Sequence, residues 1–203
     1  MTNLLRPDLP RLPERMYYLP VDDRGYPIPE FVSNLDGKRD FRVVSLEHLA
    51  NCIRHDVCWI CGQRLDVLKA FVIGPLPAIQ GLSNEPPSHV ECAEFAVRAC
   101  PFLLLPKAQH RSIDNPKVQK LPRPAKGNPG VSCLYTVRGY AHHKKPKGII
   151  FQTGRAVRVD WYTQGRRATR NEVLAAINAS LLAIGRAGNE QAIEKRVAEL
   201  LPA

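Results

Sequence analysis

The chain of 203 residues has no apolar run near the roughly 20 residues that a bilayer demands, and its Phe102-Leu103-Leu104-Leu105 stretch ends directly in Pro106. A membrane span is therefore not expected. Residues 1–20 interrupt Leu with Pro, Arg and Asp and lack the continuous apolar centre of a secretory signal, so the reading is of a cytoplasmic protein. Six cysteines are too few to staple a chain of this length; in a reducing compartment a Cys-x-x-Cys pair points to metal or redox chemistry instead. A Gly-rich phosphate loop, Gly-x-Ser-x-Gly and His-Glu-x-x-His are all missing, which leaves no familiar hydrolase signature. The absence of an internal repeat argues against a solenoid or a propeller. Acidic residues are the other scarcity, 19 Asp+Glu against 29 Lys+Arg, for a net charge of +10.

What is present supports a folded core, since 44% of the residues are hydrophobic. Eighteen prolines and thirteen glycines predict many turns and few long helices. Six of the prolines fall within residues 1–30 and predict an extended arm packed on the surface. Asp36-Gly37 between two β-prone runs predicts a hairpin. Ser45 then caps a short helix through about His55, and Leu68 to Ile73 reads as a strand ended by Gly74-Pro75. Pro86-Pro87-Ser88 leads into a helix over about 89–99. Residues 107–130 carry six basic residues, one acid and four prolines, and read as a linker or long loop. Beyond it, 131–138, 148–152 and 156–162 are expected as three strands of an antiparallel meander. Thr169-Arg170-Asn171-Glu172 has capping-box spacing before one helix, and a second runs from about Asn189 to Leu201. The expected organisation is thus an arm, hairpin and metal-binding unit over 1–106, the basic segment 107–130, and strands plus helices over 131–203. All of these could form one compact α+β domain.

The strongest chemical signal is Cys58-Trp59-Ile60-Cys61-Gly62, with 27 residues between Cys61 and His89-Val90-Glu91-Cys92. Cys-x-x-Cys lets both sulfurs face one side of a tight knuckle, with Gly62 free to take the backbone angles that knuckles need. His89 and Cys92 lie on one face of a helix's first turn, where the positive helix end favours a thiolate. Cys58, Cys61, His89 and Cys92 would fill the four positions of a structural Zn²⁺ in a treble-clef-like unit. Two other readings of the same residues stand beside it. One is a reduced cysteine pair near a helix-cap histidine. The other is a thioredoxin-like redox pair, which lacks a surrounding βαβ pattern. Cys52, Cys100 and Cys133 are not needed, and Cys52 reads as a buried, inert thiol. No histidine lies in residues 62–88, which argues against a nuclease with its base between the ligand pairs. His142-His143, in a Lys-rich segment expected to be a turn, read as solvated residues.

The charge is local. Residues 1–106 sum to −2 and residues 171–203 to −1, while residues 107–170 carry +13. Lys144, Lys145, Lys147, Arg155, Arg158, Arg166 and Arg167 are interleaved there with Tyr140, Trp161 and Tyr162. Lysine and arginine neutralise phosphates, and exposed aromatics stack on bases, so a nucleic-acid or other polyanion surface is expected. A solvated face that only keeps the protein soluble is the bland alternative. The balance of motifs favours a binding protein over an enzyme, with nucleic acid or an acidic protein as partner.

Arg24-Gly25-Tyr26-Pro27-Ile28-Pro29, Cys58-Trp59-Ile60-Cys61-Gly62-Gln63, Ala70-Phe71-Val72-Ile73-Gly74-Pro75, Glu85-Pro86-Pro87-Ser88-His89-Val90-Glu91-Cys92-Ala93, Arg98-Ala99-Cys100-Pro101-Phe102-Leu103 and Gly165-Arg166-Arg167-Ala168-Thr169-Arg170-Asn171-Glu172-Val173-Leu174 together resemble a family of uncharacterised proteins from bacterial and phage genomes. The resemblance runs to about Leu182. It implies no defined activity, and its phage association implies a protein acting on host nucleic acid or host machinery; a protein that binds and modulates an acidic host protein is the competing reading, and an enzyme with an unfamiliar site the third.

Overall fold

A computed structural model of the chain describes residues 4–35, 38–104, 130–146, 148–183 and 190–202. The expected basic segment 107–130 lies outside the described residues except for Gly130. The N-terminal arm forms no long helix: it alternates extended stretches with turns at 7–9, 17–19 and 23–25 and a 3-10 turn at Glu14–Met16. Its Leu9, Leu12, Met16 and Leu19 pack on the cysteine-bearing unit. The predicted hairpin forms from β1 (Val32–Leu35) and β2 (Lys38–Val44), closing at Leu35↔Lys38. α1 (Leu46–His55) begins where expected, with Ser45 Oγ accepting from the His48 backbone N–H at 3.2 Å.

β3 (Lys69–Ile73) is followed by α2 (Pro75–Gln80), β4 (Leu82–Ser83), β5 (Ser88–His89), α3 (Val90–Ala99) and α4 (Pro101–Leu104). α2 departs from the expectation. Gly74-Pro75 ends the strand and also starts a helix, because a proline in the first helical position loses no needed donor. Then come β6 (Ser132–Val137), β7 (Tyr140–Lys145), β8 (Gly148–Thr153), β9 (Ala156–Thr163), β10 (Arg166–Arg167), α5 (Arg170–Ala183) and α6 (Glu190–Leu200).

The fold is α+β with antiparallel pairing throughout. A five-stranded sheet has the order β10-β9-β6-β3-β5, and a three-stranded sheet has the order β4-β8-β7. Because β3 and β5 share the larger sheet with β6, β9 and β10, the 1–106 and 131–203 segments build it jointly.

The later strands are not a simple meander. β6 pairs with β9, and β7 pairs with β8. The register at Val137↔Ala156 continues at Tyr140↔Thr153 without slipping, so β6–β7 and β8–β9 are the two legs of one long hairpin. It bends at Gly139 and Gly154, whose N–H donates to the Gly139 carbonyl at 3.1 Å. A Cβ on Gly154 would lie 2.3 Å from that oxygen, so the close approach requires glycine. The polar run His142-His143-Lys144-Lys145, expected as a turn, is strand because the more apolar β8 supplies its partner groups.

The main core gathers Phe71, Tyr135, Phe151, Trp161, Val173, Ile177 and Leu200. Trp161 Nε1–H donates to the Leu200 carbonyl at 2.7 Å, which ties the end of α6 to β9. The capping box also forms: Thr169 N–H donates to Glu172 Oε2 at 2.8 Å, and Glu172 N–H to Thr169 Oγ1 at 3.4 Å.

Candidate metal centre

The knuckle is built by backbone. Val57 bridges Arg64, Cys58 N–H donates to the Gln63 carbonyl at 2.7 Å, and Gly62 N–H donates to the Cys58 carbonyl at 2.9 Å. Gly62 takes φ +69, the left-handed angle that the turn needs. Two contacts bring the second ligand pair to the first. Trp59 N–H donates to the Pro87 carbonyl at 3.1 Å, and β5 pairs with β3 so that His89 stands opposite Lys69. His89 is the N-cap of α3, and Cys92 lies in its first turn.

Cys58, Cys61, His89 and Cys92 are completely buried, and their ligand atoms all lie within 4.8 Å of one another. His89 Nδ1 is 3.3 Å from Cys61 Sγ and 3.9 Å from Cys92 Sγ. With Zn–S near 2.3 Å and Zn–N near 2.05 Å, a tetrahedron places sulfur and nitrogen about 3.6 Å apart, between those two values. Three soft sulfurs and one imidazole nitrogen form a donor set that fits a tetrahedral dication and leaves no position open. His89 Nε2 is 2.9 Å from the Arg64 carbonyl; donating there fixes the tautomer and keeps the Nδ1 lone pair on the sulfurs. Backbone N–H groups of Cys61 and His89 each donate to Cys58 Sγ at 3.4 Å.

The protein groups alone compete for protons. Burial would raise the Cys58 thiol, yet hydrogen bonds from Cys61, Cys92 and His89 hold it far below the usual thiol range. Hydrogen bonds to Cys58 and Cys61, with burial added, push Cys92 far up. Burial lowers the His89 pKa, but contacts with Cys58 and Cys61 overcome it and raise the group to about 10. A metal would displace the shared protons.

Arg15 covers this site, and no sequence signal singles it out. Its Nη2 reaches Asp66 at 2.7 Å, its Nε reaches Glu91 at 2.8 Å, and Nη1 stands 3.3 Å from His89 Nε2. Two open hollows lie near the unit, one of about 480 Å³ beside Arg15 and Glu94, the other of about 580 Å³ between Glu30, His48 and His55. None of the four ligands lines either hollow.

Cys52 is buried outside the cluster, and burial first, then Cys58, pushes its thiol up to about 12. Cys133 is fully buried, with its thiol raised by desolvation, and Cys100 also stands apart. No cysteine is in a disulfide.

The basic residues divide into two sets. Arg158 is 2.7 Å from Asp160, and Arg167 also pairs with Asp160. Arg166 holds Glu172 through two bonds of 3.0 and 2.6 Å. Lys144 and Lys145 on β7 and Arg155 at the hairpin bend are exposed, and none has an ion pair among the described residues; Lys147 lies outside those residues. The expected stacking aromatics are turned inward. Tyr162 is 3% exposed, donates to Glu94 at 3.0 Å and lies under the Arg167 guanidinium. Tyr140 donates to Asp56 at 2.9 Å and packs against Phe71 and Phe151, while Trp161 is core. The burial of Trp161 and Tyr162 follows from packing of the large sheet, which the imperfect alternation in β9 does not reveal, while Tyr140 on β7 is partly covered through its contacts with Phe71 and Phe151.

Among the described residues, no helix is long and apolar enough to cross a membrane, and no second metal-ligating cluster exists. No family model, curated protein or solved structure matches the chain.

Proposed function

We infer that this chain is a non-catalytic binding protein whose fold is held by one structural Zn²⁺ on Cys58, Cys61, His89 and Cys92, and which contacts nucleic acid through a basic surface. The observation that carries the zinc reading is the burial of four convergent ligand atoms with no fifth, open position. Knuckle, intervening strands and a helix whose first turn completes the ligand set resemble a treble clef. Bound there, zinc would supply cross-linking and charge neutralisation; the chain's own groups set its ligands through the Arg64 carbonyl and the amides on Cys58. A reduced thiol set of this kind suits a cytoplasmic setting.

Metal analysis of the purified protein tests the site. About one zinc per chain is expected, with loss in Cys58→Ser, Cys61→Ser and Cys92→Ser and retention in Cys133→Ser. Free, titratable thiols at Cys58 and Cys92 in metal-replete protein would sink the reading.

The nucleic-acid reading is supported by Lys144, Lys145 and Arg155, which have no ion pair among the described residues, and by the +13 carried by residues 107–170. Retardation of DNA or RNA at low salt is its test. Capture of an acidic protein from nuclease-treated lysate, with no nucleic-acid binding, would favour the competing partner class.

A further inference from the structure

β7 is the outer strand of the smaller sheet, and no strand lies beyond it among the described residues. Its free edge can be assigned residue by residue. Thr153 N–H donates to the Gly81 carbonyl at 2.8 Å, away from β7, so the pair Tyr140↔Thr153 exchanges no bond and Tyr140 points its own N–H and C=O outward. An antiparallel ladder alternates, so His142 and Lys144 also point theirs outward, while Ala141, His143 and Lys145 face β8. Pro146, next in the alternation, has no N–H and ends the row. Residues 141–146 are all exposed, and none of the outward groups has a backbone partner among the described residues.

An edge of this kind is a template for another strand, and its charge selects which one. Lys144 shares a face with Tyr140, Ile149 and Phe151, while Lys145 lies on the opposite face with Ile150 and Gln152. A strand laid along β7 therefore meets one lysine on each face, at consecutive positions. Neither lysine has an ion pair among the described residues, and β7 contains no acidic residue. A second copy of β7 would set one run of histidine and lysine against another, and like charges opposite each other are unfavourable. The lysines that bar such a copy favour a strand with carboxylates at those positions.

We propose that β7 is a docking edge for an extended acidic segment of a partner protein, which joins the three-stranded sheet as a further strand and sets two consecutive carboxylates beside Lys144 and Lys145. Main-chain bonds to Tyr140, His142 and Lys144 supply the register, and the two ion pairs supply the selectivity. The inference goes beyond the nucleic-acid reading and does not depend on it. A phosphate backbone answers the lysines but has no donor for the outward carbonyls, whereas an added strand satisfies donors, acceptors and charge together.

The test uses the full-length, metal-replete protein and a labelled peptide of about eight residues, valine and threonine except for two adjacent glutamates. An N-methylated form that keeps the charge but has no main-chain donors, a form with glutamine for glutamate, and a single-stranded DNA oligonucleotide are run alongside. In fluorescence anisotropy the peptide should bind at least about tenfold tighter than its N-methylated and glutamine forms. Lys144→Glu with Lys145→Glu should weaken it about tenfold, and a peptide with lysines in place of the glutamates should recover that loss on the variant. Unchanged zinc content and melting temperature establish that the variant is folded; if it is not, the probes on wild type decide. In amide hydrogen exchange, peptide should protect His142 and Lys144 and leave Ala141, His143 and Lys145, already bonded to β8, little changed. Equal affinity for the N-methylated peptide, or unaltered exchange at His142 and Lys144, overturns the added strand. DNA binding tighter than the peptide, with no protection of those two amides, gives the lysines to nucleic acid and overturns it as well. No binding of the peptide overturns the docking edge and leaves the nucleic-acid reading to its own test.

Discussion

His89 stands with Nε2 2.9 Å from the Arg64 carbonyl and Nδ1 3.3 Å from Cys61 Sγ, so one imidazole joins the far rim of the knuckle to its sulfurs. The relationship is long-range, 25 residues from histidine to carbonyl, and it makes the ligand set depend on the knuckle's backbone as well as on its cysteines. The site is therefore part of the fold's closure.

On the zinc reading, removing the metal should destabilise the fold, since the ligand-bearing segment shares the large sheet with the rest. Chelation is expected to lower unfolding stability by at least about 4 kcal/mol, the effect of a ligand present at a thousand times its dissociation constant. His89→Ala should lose metal and show a comparable loss without chelator. The measurement is denaturant unfolding with and without chelator, together with metal content. Equal curves for chelated and loaded protein would contradict a structural role.

Arg15 supplies a second, weaker closure. Its guanidinium spans Asp66 and Glu91, which are half-exposed, so Arg15→Ala should cost only about 1 kcal/mol of stability. Transfer of metal to a chromogenic chelator should nonetheless speed up several-fold, because the arm over His89 loosens. A rate equal to wild type would mean that the arm plays no part in retention.

What was legible in the sequence is what is local. Ser45, Thr169 and Glu172 cap their helices through contacts within three residues, and the Cys58, Cys61, His89 and Cys92 spacings are those of a knuckle and a helix turn. The bent hairpin was not legible, because β7 has the composition of a turn and becomes strand only through β8. Nor was the division of the cations. Composition counts arginines, but it takes the folded sheet to place Asp160 between Arg158 and Arg167.

Acid should loosen the start of α5. Glu172 is half-buried, and its bonds to Arg166 first, then to Thr169, bring its pKa down from 4.5 to about 2. A folded-state value below the unfolded one contributes stability above about pH 4.5 that is lost as pH falls towards 2. Glu172→Gln should remove that part of the acid dependence, seen as a flatter melting-temperature profile over this window. Thr169→Ala should cost about 1 kcal/mol through the cap itself.

Gly154→Ala tests the bend. The added methyl would meet the Gly139 carbonyl at 2.3 Å, and that oxygen belongs to the backbone, which cannot rotate away. A loss of about 1–3 kcal/mol is expected, typical of overpacking. Gly139→Ala is the matched control, since a Cβ there meets nothing within 4 Å. Equal melting temperatures for the two variants would show that the legs separate without cost.

Asp160 decides how much of the positive charge is free to act. Its carboxylate is mostly buried and serves both Arg158 and Arg167, whose side chains remain about half exposed. Asp160→Asn leaves two guanidiniums without their counter-charge. Stability should fall by only about 1 kcal/mol, because both arginines stay half solvated without their counter-charge. Affinity for a polyanion should rise about threefold and its salt slope steepen, because the released arginines become available to phosphates. If Arg158 and Arg167 already contacted the ligand, the variant would leave the slope unchanged, and Arg158→Ala alone would weaken binding as much as Lys145→Ala. Melting and salt-dependent anisotropy on these two variants separate a compensated strand from a working one.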